Sequence, residues 1–526
     1  MAFKIPDFKY KGIKRITIPK VDADFSTEDF GWAIIKKYLP NILADHQENA
    51  KKIDFFYNYF LGDQDILDKR RQHKINEKNN HRDVENHASR QVEFKVGFLC
   101  GERRDYTFKS DSDSDDLIYL DRYFTDCNFF AKDADLKEWI YTTGIGVTHT
   151  APRTDIILSG GVDAMTKQPK TRYATKEDGY DVEYEAPFEF DCVDPKQNFV
   201  VYSSAIDNKP LFCVSFADVD LSGDDESPKI GKQLLIETRY ASFKFNSDAG
   251  FSQFYWDTKD VTIVPKFLRY LPLIEFSVNK DRIGIIERNR SSFNTINLFR
   301  SSVNDMIVDN ANAILVFKNV DIESEEVQAM REAGAIIISD SQTAKAGANA
   351  DLKTITVEIP FDKMTTYVDQ VVQNCYDIVG VPLASGQVTS GGDTGQARLL
   401  GGGWNNAYII IHKEIQCILG QDYEQLKLFL MLCNLVPDSK VDQLYASQID
   451  INYRVNQNDN FLVKTQGMMN LYNMGCDLEF ILKVGGLSND IKTDSKMWRE
   501  NLERNAEKAE AQTTNEEVIE YNNSQE

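Results

Sequence analysis

The sequence predicts an α+β chain of several packed units, and three observations carry that reading. Apolar residues recur at helical spacing near the N-terminus, over 281–312 and again from 361 onward. Short runs of alternating character fill 147–276. A compact mixed insert, 313–360, lies between two long helical stretches. With 526 residues, 42% hydrophobic and 27% charged, the chain is ample for several cores.

Composition narrows the class. No run approaches the length of a membrane span, and the start, MAFKIPDFKYKGIKRITIPK, is basic without an apolar stretch, so the expectation is a protein neither membrane-anchored nor secreted. The eight cysteines, at 100, 127, 192, 213, 375, 417, 433 and 476, are too scattered for C-x-x-C, which points to buried thiols in a reduced compartment and away from structural zinc. Acidic residues outnumber basic ones 82 to 60, for a net charge of −22. That excludes a clamp holding DNA by bulk charge. It does not exclude DNA passing through, because a surface on which DNA slides should make few adhesive phosphate contacts.

The first 25 residues show no period and read as a loosely held arm. STEDFGWAIIKKYL, capped by Ser26 or Thr27, predicts a helix, and Ile42 to Leu61 a second one ending on YFLGD. In SDSDSDD, Asp111, Asp113 and Asp115 invite a calcium reading, but an EF-hand loop counted from Asp111 would need Gly and Glu where Asp116 and Arg122 stand. A polar loop capping the next helix is the better account. A helix over Asp133 to Thr142 ends at Gly144 and Gly146, and then antiparallel strands follow: VEYEAPFEFDCV, NFVVYSS, PLFCVSF, QLLIETRYASFKF, DVTIVPKF and LPLIEFSV.

Asp281 to Ala313 is helical, with an interruption expected near Ser291-Ser292. The insert then reads as strand AILVFKN, capped helix ESEEVQAMREAG, strand AIIIS, polar loop TAKAGANA and strand LKTITVEIP, which places it at the tip of a helical pair. From Asp362 to Val379 the apolar face is Met364, Tyr367, Val368, Val371, Val372, Cys375, Tyr376 and Val379, a rod of roughly 27 Å. Gly380 and Val381-Pro382 stop it. Glycines at 386, 391, 392, 395, 401, 402 and 403 follow before helical spacing resumes from Trp404 to Ile418 and past Gly420 to Leu432. A phosphate-binding loop would need Lys where GGDTGQAR has none, which leaves a plain hinge or a moving loop. SQIDINYRVNQND predicts a returning strand, and helices are expected over Phe461–Met474, Asp477–Val484 and Asp490–Asn505, before an acidic, disordered tail over 506–526.

Several of these stretches carry spaced residues that resemble tailed-phage portal proteins of the siphophage type. Near the N-terminus the match comprises Tyr57, Tyr59, Gly62, Ile66, Leu67, Arg70, Arg71, Asn86 and Ala88, then Lys95, Gly97, Phe98 and Gly101. In the β-rich part it comprises Pro195, Phe199 and Tyr202, then Pro272 and Phe276. In the glycine-rich stretch Thr394, Gly395 and Ala397 agree in type with a Gly-x-x-Ser-Gly-x-Ala-x-x-x-x-Leu pattern, although Thr replaces Ser and glycines 401–403 depart from it.

The resemblance implies a portal-like α+β subunit that assembles into a ring. Its parts would be a wing (1–280), stem helix 1 (281–312), a clip (313–360), stem helix 2 (361–380), a tunnel loop (381–403), a long helix with the wing's return strand (404–458), a crown (459–505) and the tail. It implies no enzyme activity, cofactor or metal, and a channel at one capsid vertex through which dsDNA is packaged and ejected. The partners implied are further copies in a dodecamer, dsDNA, the terminase large subunit, a head–tail adaptor, and the major capsid and scaffolding proteins, with no membrane. The protein would sit in the virion, after assembly in the host cytoplasm. Gln387, Thr389, Ser390, Gly391, Gly392, Thr394, Gln396 and Arg398 would line the tunnel. Twelve copies give 12 × −22 = −264 formal charges, a channel that repels more than it grips. The rival readings are a tail or baseplate structural protein and a nucleic-acid-processing ATPase or nuclease subunit. The absence of Walker A, Gly-x-Ser-x-Gly and His-Glu-x-x-His, and of any partner spacing among His46, His73, His81, His87, His149 and His412, disfavours the latter.

Overall fold

The computed structural model describes residues 8, 10–19, 25, 29–69, 80–109, 116–162, 169–206, 208–220, 230–247, 261–266, 268–311, 314–318, 351–355, 361–383, 404–437, 439–441, 444–455, 461–485 and 494–505. In chain order these form β1 (Thr17–Ile18), α1 (Trp32–Leu61), α2 (Asp65–Lys69), α3 (His87–Cys100), β2 (Asp105–Phe108), α4 (Asp116–Asp126) and α5 (Phe129–Thr143). Strands β3 (Gly146–Pro152), β4 (Ile157–Val162), β5 (Pro169–Tyr173), β6 (Phe188–Val193), β7 (Asn198–Ser203), β8 (Pro210–Asp220), β9 (Ile230–Thr238), β10 (Ala241–Ser247), β11 (Thr262–Pro265) and β12 (Leu273–Phe276) come next. Then follow α6 (Ile285–Ala311), β13 (Ile314–Lys318), β14 (Asp351–Ile355), α7 (Phe361–Val379), α8 (Trp404–Cys433), β15 (Ile449–Asn452), α9 (Phe461–Asn473), α10 (Leu478–Gly485) and α11 (residues 494–505). The fold is mixed α+β.

Strand alternation builds the layers. A six-stranded sheet runs β1-β7-β8-β9-β10-β11, and a three-stranded one runs β12-β3-β6. On β7, Phe199 and Val201 face one way, and with Phe212, Val214, Leu234, Ile236 and Phe243 they bury Ile35, Leu39, Ile42 and Leu43 of α1. Val200 of β7 and Cys213 of β8 face the other way, onto Val147 and Leu273 of the smaller sheet. The far side of that sheet carries Phe188 and Phe190, which meet Phe129 of α5 and Phe429 of α8. The order is therefore helix, sheet, sheet, helices. A third core, below the sheets, joins the second half of α1 to α3, α5, α6, α7 and the first half of α8.

Four expectations change. Residues 10–19 are not a loose arm: Ile13, Ile16 and Ile18 are buried, and β1 adds a parallel edge beside β7. Two paired residues are too short to show a period. The two N-terminal helices are one, running through Pro40, because apolar faces on both sides of the proline pack into cores whose burial outweighs its cost of about 3 kcal/mol. That helix starts at Trp32 rather than near Ser26, since Phe30 and Gly31 both have positive φ and Asp29 accepts from the Gly31 and Ala33 N–H groups. Helix α6 continues through Ser291-Ser292 but begins only at Ile285, after Arg282 turns with φ 55°.

The buried face of α6 is unusual in being polar at steps of four. Asn297, Ser301 and Asp305 accept from the backbone N–H groups of Glu85, Asp83 and His81, each at 2.9 Å. Two residues of extended chain rise about 6.6 Å and four residues of helix about 6 Å, so the two spacings keep register. Segment 81–85 is thereby zipped onto the helix.

His46 of α1 is buried, stacked on Phe199 at 3.8 Å between ring centroids, with Nε2 2.8 Å from the Lys196 carbonyl. Burial lowers its pKa to about 4, only partly opposed by that hydrogen bond. The unfolded chain takes up this proton below pH about 6.5 while the folded one resists until about 4, so stability is full above 6.5 and falls between the two values by about 3 kcal/mol. The expected result for His46→Phe is a smaller loss of melting temperature between pH 7 and pH 4.5 than wild type shows. Equal losses in both proteins would contradict it.

Candidate functional site

The candidate site is the chain between α7 and α8, and its two ends are held in place. Helix α7 closes on Gly380 at φ +66°, with the Val381 N–H donating to the Tyr376 carbonyl at 3.0 Å. A Cβ on Gly380 would lie 2.6 Å from Ile410 of α8, so only glycine suits both the backbone and the approach of the two helices. Val381 is buried, and Leu383 and Trp404 pack against the same core. Trp404 sits 6.0 Å from the rings of both Phe94 and Phe98. Asn406 donates across to the Asp377 carbonyl at 3.1 Å. Whatever course the chain takes from 384 to 403, it leaves and returns through one narrow frame.

Helix α8 is fixed by buried charges. Lys95 of α3, 1% exposed at its side chain, pairs with Glu414 at 3.1 Å, and the Tyr141 hydroxyl donates to the same carboxylate at 2.9 Å. Further along, Arg104 meets Asp133 at 3.0 Å and Asp422 at 2.7 Å, and Tyr453 donates to Asp422 at 2.6 Å. Burial opposes the Arg104 charge, but Asp133 and Asp422 outweigh it and raise its pKa well above the ordinary value. Helix α7 is tied in more lightly: Asn289 of α6 donates to the Cys375 carbonyl at 2.8 Å, and His87 Nδ1 lies 2.8 Å from the Tyr376 hydroxyl. Its N-terminal half is exposed at Tyr367 and only half-buried at Met364 and Val368, so the broad apolar face expected from spacing is covered only from Val372 onward.

Burial pushes the thiols of Cys100, Cys127, Cys192 and Cys213 up to about 12, far from a reactive thiolate. His87 and His149 are shifted toward the neutral form by burial. His81 Nδ1 lies 2.7 Å from Asp305, but that carboxylate is already engaged in the zipper on α6. Among the described residues no group of three or more His, Cys, Asp or Glu is placed to hold a metal ion, and no helix is long and apolar enough to cross a membrane.

Of the expected tunnel-lining residues, Gln387, Thr389, Ser390, Gly391, Gly392, Thr394, Gln396 and Arg398 all lie outside the described residues, as do Asp111, Asp113 and Asp115 of the acidic run. Several of the spaced N-terminal residues have visible tasks, while Arg70 and Arg71 lie outside the described residues. Gly62 ends α1 with φ 109°, and Asn86 caps α3 by accepting from the Ser89 N–H while donating to the Phe60 carbonyl at 2.9 Å. Lys95 reaches Glu414. What the sequence did not disclose is Arg104 with its two acids, because those partners stand far away in the chain; its one local signal is a basic pair flanked by acids, GERRD.

The family model described as phage portal protein, SPP1 Gp6-like, matches residues 39–397. Among curated proteins nothing matches the chain.

Proposed function

The chain belongs to the SPP1 Gp6-like family of phage portal proteins, and from that premise we propose that it forms the ring-shaped channel at one capsid vertex through which dsDNA is packaged and ejected. The observation that carries the proposal is the family match itself, which covers 39–397 and so includes the stretch from α1 through GGDTGQA. In this reading 1–280 is the wing, α6 and α7 are the stem (281–312 and 361–380), 313–360 the clip, 381–403 the tunnel loop, 404–458 the long helix and return strand, and 459–505 the crown. The channel performs no chemistry. It is a component of the virion, assembled in the host cytoplasm as a dodecamer with major capsid and scaffolding proteins. Terminase drives DNA through it, and a head–tail adaptor later seals it.

Two structural features support the parts list. Strands β13 and β14 pair antiparallel with Ile314 opposite Ile355, so the insert leaves and returns at one place. The packing of Gly380 against Ile410 and of Trp404 against the core fixes the chain on either side of the proposed tunnel loop. The test follows from the first. Replacing Leu315–Ile359 by a short linker is expected to leave the melting transition of the rest within a few degrees of wild type, while binding of the terminase large subunit and of the adaptor is lost. A shortened protein that still supports packaging and tail joining in a complementation assay would sink the assignment.

The tail-protein reading has less in its favour, because it gives no reason for a small domain inserted between two packed helices. Imaging of the assembled particle separates the two.

A further inference from the structure

A cleft of about 710 Å³ opens where the free edge strand β12 meets the six-stranded sheet and α8. Its floor is apolar, with Val200, Leu273 and Met431, and around it stand Arg15, Arg239, Arg269 and Lys280. Other charges there are already matched: Lys427 pairs with Glu424 at 2.6 Å and Glu275 with Arg282 at 2.5 Å. Arg15 and Arg269 lie over the rings of Tyr202 and Tyr240, but among the described residues none of the four cations has an ion-pair partner, and all four are exposed. In a chain of net charge −22, four unmatched cations around one apolar-floored cleft are a localised exception.

An opposite excess lies on α3 and α5, away from β12. In the order β12-β3-β6 the cleft borders β12, whereas α5 runs beside β3 and β6. Asp135 of α5 stands close enough to β6 that, after burial itself, it is the main group raising the Cys192 thiol to about 12. Burial, then Asp135 and Glu93 of α3, raise the Glu138 carboxyl. Asp135 and Glu93 are exposed, and neither Asp135 nor Glu138 has a cation partner among the described residues.

We propose that the cationic cleft of one subunit receives the acidic α3–α5 face, Glu93, Asp135 and Glu138, of a second copy of this chain. The proposal rests on the ring-forming reading above. Two different, complementary patches on one chain make a head-to-tail contact, the type that builds a ring when the rotation between copies closes, and not a two-fold dimer. Copies this acidic repel each other at random encounter, so the matched patches also select the orientation of approach. Because the cations are exposed, the contact weakens as salt rises and the Debye length, about 8 Å at 0.15 M, shortens.

The test uses two charge-reversed full-length proteins, one carrying Arg239→Glu with Arg269→Glu and the other Asp135→Lys with Glu138→Lys. Each alone places like charges across every contact and is expected to lose the ring peak in light-scattering chromatography. Mixed in equal amounts they present opposite charges at every contact, so rings return, with the two proteins alternating and an even subunit number by native mass spectrometry. Restoration on mixing also shows that both variants are folded. Single variants that still form wild-type rings, or losses that mixing does not repair, overturn the proposal while leaving the ring reading intact. A wild-type chain that forms no ring overturns both. A cleft variant that keeps its rings but no longer binds a short DNA duplex overturns it in favour of a DNA contact.

Discussion

Replacing Arg104 with methionine is expected to lower the stability of the fold by about 3–5 kcal/mol, the cost of leaving buried acids without their counter-charge. The guanidinium is the only group that bridges Asp133 of α5 to Asp422 of α8 among the described residues, and it is 6% exposed. Its removal leaves Asp133 with Lys137 at 3.2 Å and Asp422 with the Tyr453 hydroxyl. Asp133 also predicts a pH signature. Burial disfavours its charge, but Arg104 and then Lys137 outweigh burial and hold the carboxyl below its ordinary value. A depressed carboxylate stabilises above the ordinary carboxylate range, and that contribution is lost as pH falls through the range toward the folded value. The variant should therefore unfold earlier in denaturant at neutral pH and lose less on acidification. Changing Asp133 and Asp422 to Asn in the same background should recover part of the loss, because the stranded charges are then gone. A denaturation midpoint unchanged by Arg104→Met would show that the network contributes little to holding α8.

The second large effect concerns the loop. Changing Thr389 and Ser390 to Lys adds 2 × 12 = 24 positive charges around a dodecameric channel. If the loop faces DNA, each new phosphate contact releases counterions and converts a sliding surface into an adhesive one. Rings are expected to assemble as before, while translocation at low salt slows by an order of magnitude or stalls and recovers as salt is raised. Gly391→Val with Gly392→Val should slow it at every salt concentration, since the restriction is of backbone rather than charge. Rates identical to wild type in both variants would remove the loop from the DNA path and leave a plain hinge between helices.

What the sequence disclosed, and what it did not, follows the range of the interactions. The 30-residue α8 was readable through Gly420 because its apolar spacing never breaks, and a Cβ at Gly420 would meet nothing within 4 Å. The end of α7 was readable because Gly380 and Pro382 act locally. Helix α1 was split at Pro40 because a local penalty is visible in the sequence and the two cores that overcome it are not. Nothing in the sequence marks Asn297, Ser301 and Asp305 as buried, and only the fold reveals a backbone segment bonded along them. Strand β2 has no signal of its own, being defined by pairing with β15 some 340 residues later, Ile449 opposite Phe108. For the site, the sequence points to the glycine-rich stretch, and the structure describes the anchored residues on either side of it. The cationic cleft draws on six separated segments, so no single stretch announces it.

Negative-stain electron microscopy of the purified full-length chain tests the central claim most directly. The account predicts closed rings with a central hole wide enough for a DNA duplex, of one dominant symmetry, which a duplex threads without being tightly bound at physiological salt. Monomers, fibres or closed particles without a hole would contradict it.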